Sequence, residues 1–251
     1  MSRIKKVAVI GTGVIGTGWI IRLLAHNIKV SAYDKNLTQK DNLILEIKRA
    51  LPFVKKLFNK KKINIKNLRF FSSLESAVKQ VDLIQECAPE NYKIKTQLIC
   101  QISNNCKSAA LISSSSSGLL PSRIFSKCKN NKRGIIGHPF NPVYLLPLVE
   151  IVPGKQTSLN SLNEANKFYK SISMNPIILK KELPGYLSDR LQEALWREAL
   201  HIINEGYAST KDLDRAIEDG PGLRYSLMGT FLTFHLAGGK AGMKHMLKQF
   251  G

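Results

Sequence analysis

Short apolar runs bounded by glycine, proline and polar residues alternate with longer segments of helical spacing through the first two thirds of the chain. Residues 5–10 read as a buried strand, a glycine-rich turn follows, and residues 14–26 carry apolar side chains at helical spacing. Residues 29–33 form the next expected strand, and 36–59 a basic helix that Pro52 should kink or divide. Further strands are predicted at 81–85, 109–113, 134–137, 148–152 and 176–179, with helices between most of them. This alternation predicts an α/β fold of Rossmann type, a doubly wound and mostly parallel sheet. After Leu183-Pro184-Gly185 the pattern changes. Residues 186–206, 211–219 and 225–250 all read as helices, so a smaller all-α domain is expected over 183–251, behind the Rossmann-type domain over 1–182.

Composition narrows the function classes. The 251 residues are 43% hydrophobic and 22% charged, ordinary for a globular protein with a sizeable core. No apolar stretch has the length of a membrane span, and residues 1–10 lack the pattern of a secretory signal, so a cytoplasmic protein is expected, with no membrane partner. Cys87, Cys100, Cys106 and Cys128 show neither CxxC pairing nor histidine partners, which fits reduced thiols and no metal site. The net charge of +20 raises nucleic acid as a partner. Its lysines are spread along the chain, and the cluster from Lys48 to Lys66 lacks interleaved aromatics. The reading is therefore a solvated basic surface that attracts small anions and binds no nucleic acid.

Gly11-Thr12-Gly13-Val14-Ile15-Gly16 is the first motif with chemistry in it. Leaving a strand and opening a helix, it lets backbone amides and the helix N-terminus meet a pyrophosphate. Asp34 closes the second strand, 18 residues after Gly16. A carboxylate there accepts from both ribose hydroxyls and repels a 2′-phosphate, which selects NAD over NADP, although Lys35 softens that discrimination.

The second motif is the run from Gly137 to Glu150, in which His138, Asn141 and Glu150 stand at fixed offsets in an apolar segment broken by Pro139, Pro142 and Pro147. Prolines make a rigid, irregular path, suited to aiming polar side chains. Ser117, His138 and Glu150 each follow or lie in an expected strand, which places them toward the sheet edge where such folds bind ligands. Oxidation of an alcohol by NAD requires a base for the hydroxyl proton. His138 suits that role, Glu150 would fix its tautomer, and Ser117 would hold the substrate oxygen.

With Gln85-Glu86-Cys87-Ala88-Pro89-Glu90, the serine run ending at Ser117-Gly118 and Leu183-Pro184-Gly185 before Asp189-Arg190, these motifs resemble the 3-hydroxyacyl-CoA dehydrogenase family over nearly the whole chain. The resemblance implies His138 as base, Glu150 as its partner, Ser117 between substrate and nicotinamide, and Asn141, Glu90 and Lys95 lining the cofactor. It also implies a homodimer. Acyl-CoA members have an asparagine where this chain has Asp189, an aspartate shared with the carnitine branch. Residues 116–122, 193–200 and 228–233 are similar to that branch too, so L-carnitine to 3-dehydrocarnitine is the implied reaction. Asp189, with aromatics such as Tyr186, Trp196, Tyr225, Phe231 and Phe234, would face the quaternary ammonium. The alternatives are a 3-hydroxyacyl-CoA substrate, L-gulonate, or an inactive NAD-binding homologue of the lens-crystallin kind. Relatives of the carnitine type continue beyond the equivalent of Gln249-Phe250-Gly251, so a shortened second domain is expected.

Overall fold

The structure is a computed structural model that describes residues 3–251. Its first part is built from β1 (Lys6–Ile10), α1 (Val14–Ala25), β2 (Lys29–Tyr33), α2 (Gln39–Leu57), β3 (Leu68–Phe70), α3 (Leu74–Val78), β4 (Leu83–Glu86) and α4 (Tyr92–Asn105). It continues through β5 (Leu111–Ser114), α5 (Pro121–Ile124), β6 (Gly134–Pro139), β7 (Leu148–Pro153), α6 (Leu159–Ser171) and β8 (Asn175–Ile178). The strands make one sheet in the order β3-β2-β1-β4-β5-β6-β7-β8. Every pairing is parallel except β6 with β7.

The period-2 geometry of the strands sorts their side chains into two cores. Val7, Val9, Val30, Leu83, Leu111 and Ile135 pack on one face with Trp19, Leu23 and Phe168. Ala8, Ile10, Ile84, Ile112 and Ile136 pack on the other with Val78, Ile99 and Ile102. With both faces covered, the central strands read as continuous apolar runs rather than alternating ones. The β6–β7 reversal follows from chain length. Only the segment 140–147 joins these strands, too short for the crossover of a dozen or more residues that a parallel pair needs. The reversal sets His138 directly opposite Glu150 in the register.

Two expectations about elements need correction. α2 runs through Pro52 as a single helix, because Leu43, Ile47, Ala50 and Val54 anchor its inner face on both sides of the proline. The expected helix over 225–250 is instead α9 (Pro221–Tyr225), α10 (Thr230–Ala237) and α11 (Gly242–Phe250). Gly239 and Gly242 both take φ of +58°, a conformation that breaks the helical path. β3 is a further strand, whose three residues Leu68-Arg69-Phe70 are too few for their alternation to stand out in the sequence.

The contacts divide the chain into two compact units, Met1–Arg190 and Leu191–Gly251. The division falls within α7 (Ser188–Asn204), and the second unit also contains α8 (Thr210–Glu218), whose start is closed by a reciprocal Ser209–Asp212 capping box. No strand occurs in the second unit.

Candidate active site

The glycine loop has the properties a pyrophosphate needs. Gly11 sits at φ +93°, and a Cβ there would lie 2.7 Å from the Cys87 carbonyl oxygen. At Gly16 a Cβ would come within 1.8 Å of the Gly11 oxygen, so both positions require glycine. A Cβ at Gly13 would meet nothing within 4 Å, leaving open space above the first turn of α1. No side chain caps that helix, so its first amides stay available to an anion. Asp34 leans onto the same loop, its Oδ2 accepting from the Thr12 amide at 2.7 Å and the Thr12 hydroxyl at 3.2 Å. Val14 is exposed, while Ile15 is partly buried against the core. A dinucleotide with a free ribose diol fits this donor and acceptor set.

The serine run turns out to be an ordered switchboard of hydroxyls. Ser113 bonds the Tyr169 hydroxyl at 2.8 Å, Ser114 donates to Glu86, and Ser115 accepts from Trp19 Nε1 at 3.0 Å and Gln85 Nε2 at 2.8 Å. Ser116 donates to Glu90 at 2.5 Å. The Ser117 hydroxyl alone of the five has no hydrogen-bond partner among the described residues, while its amide donates to Glu90 at 3.0 Å. Glu90 Oε1 also accepts from the Gly118 amide at 3.2 Å and so fixes the loop that presents Ser117.

Lys95 is deeper than its expected role suggested. It is 1% exposed, and Nζ donates to both oxygens of the fully buried Glu86 at 2.9 and 3.1 Å and to the Ala88 carbonyl at 2.9 Å. Glu90 Oε2 lies 3.7 Å from the same ammonium. The Glu86–Lys95 pair is not legible in the sequence, because a glutamate at the end of an apolar strand gives no sign of its partner nine residues on.

His138 is 5% exposed, and its Nδ1 lies 2.9 Å from Glu150 Oε2. The other Glu150 oxygen accepts from the Leu187 and Ser188 amides, at 3.0 and 3.1 Å, at the start of α7. Burial pushes the Glu150 carboxyl up, but bonds from His138, Ser188 and Leu187 together with the His138 charge outweigh it and hold the group below the ordinary carboxylate value. Because Glu150 can only accept, Nδ1 carries a proton and Nε2 is left as the lone-pair nitrogen of the neutral ring. Asp189 Oδ2 stands 3.7 Å from that Nε2. Partial burial, with Glu150 and Glu90 adding to it against the pull of His138, raises the Asp189 carboxyl. The imidazole therefore lies between two carboxylates.

Tyr186 is fully buried, its hydroxyl donating to the Leu119 carbonyl at 2.7 Å and its ring 5.5 Å from that of His138. It props the histidine and offers no open face to a cation, contrary to its expected place among cage aromatics. Its φ of +45° is unusual for a bulky residue and is held by this packing. Asn141 is exposed beside the segment's cis Asn141–Pro142 peptide. It lines a cavity of about 510 Å³ with Thr12, Gly13, Thr17 and Tyr144. Trp196 and Phe231 belong to the second unit and are 58% and 83% exposed. Among the described residues no cluster of side chains could hold a metal ion.

Comparison with known proteins gives this geometry a family. Residues 6–183 match the 3-hydroxyacyl-CoA dehydrogenase NAD binding domain, and residues 185–251 match the C-terminal domain of the same family. The L-carnitine dehydrogenase of Oceanobacillus iheyensis is 49% identical over 98% of this chain and 80% of its own length. That of Pseudomonas aeruginosa is 47% identical over the full chain and 78% of the relative. Among solved structures, 5-formyl-3-hydroxy-2-methylpyridine-4-carboxylic acid 5-dehydrogenase, an NAD+-dependent dismutase, superposes with a TM-score of 0.90 at 25% identity, over 98% of this chain and 80% of that one. The (S)-3-hydroxybutyryl-CoA dehydrogenase of Ralstonia eutropha shares the fold, with a TM-score of 0.79 at 23% identity over 98% and 85% of the two chains. The chain belongs to the 3-hydroxyacyl-CoA dehydrogenase family, and is an NAD-dependent dehydrogenase acting on a CH–OH group.

Proposed function

We propose that the substrate is L-carnitine, oxidised at its secondary alcohol to 3-dehydrocarnitine. The observation that carries this reading is Asp189, a carboxylate 3.7 Å from the nitrogen that must take the hydroxyl proton. In carnitine the hydroxyl and the quaternary nitrogen sit on adjacent carbons, so a group beside the base also stands beside the cation. The identity to relatives named L-carnitine dehydrogenase supports the same substrate. NAD, when bound, accepts the hydride. His138 Nε2 takes the hydroxyl proton as the carbon–hydrogen pair leaves, and the alcohol becomes a ketone with one proton held on the imidazole. Glu150 keeps the ring in the reactive tautomer and balances the imidazolium. The unpartnered Ser117 hydroxyl donates to the substrate oxygen, while Gly11, Gly13, Gly16 and Asp34 hold the dinucleotide, with Asn141 and Glu90 nearer its nicotinamide end.

The test is NADH formation by the purified protein with L-carnitine, L-gulonate and 3-hydroxybutyryl-CoA offered in parallel. Turnover of L-carnitine well above the other two is expected, and preference for the acyl-CoA overturns the reading. We also infer self-association through the second unit, which leaves Tyr207, Leu227 and Phe231 about four-fifths exposed. Light scattering should report a dimer. Four unpaired cysteines and no helix long and apolar enough to cross a membrane, among the described residues, support a reducing, cytoplasmic setting.

A further inference from the structure

Arg22 lies on α1, about 13 Å along the helix from the glycine loop. It is 1% exposed and no carboxylate among the described residues pairs with it. Its guanidinium instead donates to four main-chain carbonyls, Val143 at 2.7 Å, Leu146 at 3.0 Å, Ile172 at 3.1 Å and Ser173 at 2.9 Å. Burying a cation against neutral acceptors alone is expensive, and a packed apolar residue would cost less. What the guanidinium supplies is geometry: a planar fan of donors that ties α1 to two separate segments.

The first of those segments, 140–147, links His138 to β7 and carries Asn141. It has no strand ladder of its own. One turn before Arg22, a Cβ on Gly18 would lie 2.9 Å from Val143 Cβ, so α1 and this segment touch with no room for a side chain. The second segment, at Ile172 and Ser173, leads into β8, whose Ile177 pairs with Glu150.

We propose that Arg22 is a positioning residue for hydride transfer, locking the helix that presents the cofactor loop to the segment that carries Asn141 between His138 and Glu150. With the lock intact the cofactor loop and the base move as one body. Without it the fold survives through its two cores, but the distance between hydride donor and acceptor is no longer fixed.

The inference rests on the carnitine reading only for its substrate, and wild-type turnover of L-carnitine tests that reading first. Arg22→Met, Arg22→Lys and Gly18→Ala are then compared by kcat per NADH-binding site and by the primary deuterium isotope effect with substrate deuterated at the carbinol carbon. An isotope effect is independent of how much protein is folded, so a purely structural role leaves it at the wild-type value. The expected result is kcat down by about tenfold or more in Arg22→Met, with a larger isotope effect and NADH affinity within about threefold of wild type. Arg22→Lys should recover part of the loss, since one ammonium reaches fewer carbonyls. If Arg22→Met does not fold, Arg22→Lys and Gly18→Ala decide the matter. Wild-type kcat and isotope effect in the soluble variants, with only a lower melting temperature, overturn the proposal.

Discussion

Replacing Glu150 with glutamine changes one atom of the carboxylate and should nearly abolish turnover. The new side chain has one oxygen and one NH2 group, and the site decides which way it points. If the oxygen stays toward the Leu187 and Ser188 amides, two hydrogen bonds at 3.0 and 3.1 Å survive and the NH2 faces His138 Nδ1 across 2.9 Å. If it flips, two backbone donors face a third donor. Each buried donor left unpaired costs about 1–3 kcal/mol, so the first orientation wins by roughly one such bond. In it Nδ1 must become an acceptor. The neutral ring then carries its proton on Nε2, where the base needs a lone pair.

Wrong-tautomer substitutions behind a catalytic histidine cost on the order of 10³–10⁴ in turnover, about 4–5.5 kcal/mol of barrier. Stability should fall by less, about 1.5–3 kcal/mol for one charge-assisted bond, offset by the smaller burial penalty of an amide. The pH dependence has a definite sign. A carboxyl depressed by folding gives its stability in full above the ordinary carboxyl value of 4.5 and loses it as pH falls through the lower folded value. Glu150 is thus ionised throughout the neutral range, and no change of pH there restores the Glu150→Gln enzyme. The assay is steady-state oxidation of L-carnitine with NADH binding measured in parallel. A variant that keeps more than about a tenth of wild-type kcat refutes the tautomer argument.

Asp189→Asn should lower kcat/KM for L-carnitine at least about tenfold while a neutral 3-hydroxy substrate loses much less, read by parallel initial rates. Because burial raises this carboxyl, its charge opposes folding above its folded pKa, so the same variant should melt slightly higher near neutral pH and lose that advantage in acid. Asp34→Ser should weaken NAD and improve NADP, measured as the ratio of their kcat/KM values, since the acceptor for the ribose diol is removed along with its repulsion of a 2′-phosphate. Lys95→Met removes the ammonium partner of the fully buried Glu86 and should destabilise the fold by about 3–5 kcal/mol in denaturant unfolding, with Lys95→Arg recovering part.

Local pattern made the nucleotide half of the fold legible. The strand, glycine loop, helix and closing Asp34 are contiguous, and Gly11 and Gly16 answer steric demands made by near neighbours in sequence or by the adjacent strand, while Gly13 leaves the loop open. His138 and Glu150 were legible for the same reason, being joined by one short rigid segment. What stayed hidden depends on partners brought together by the tertiary fold. Arg22 meets carbonyls more than 120 residues away, and Glu86 with Lys95 looks like any polar pair until burial is known. The supporting role of Tyr186 is hidden in the sequence because aromatic identity says nothing about which ring face is covered. The break between α10 and α11 hinges on the φ values of Gly239 and Gly242, which a run of apolar residues at helical spacing conceals.

A histidine flanked by two carboxylates is poorly suited to a neutral alcohol, since Asp189 is an uncompensated charge in a partly desolvated site until something positive arrives. It suits a cationic one. When the base takes the hydroxyl proton it becomes a cation about 5 Å from the substrate's ammonium, a repulsion of roughly 3 kcal/mol at an effective dielectric near 20. Glu150 cannot offset that alone, because its charge lies on the far side of the ring and is shared with two backbone amides. A carboxylate at Nε2 acts on both positive groups, lowering the energy of the bound cation before transfer and of the imidazolium after it. An asparagine at 189 gives up both effects, which is why the substrate preference and the proton step should fail together in that single variant.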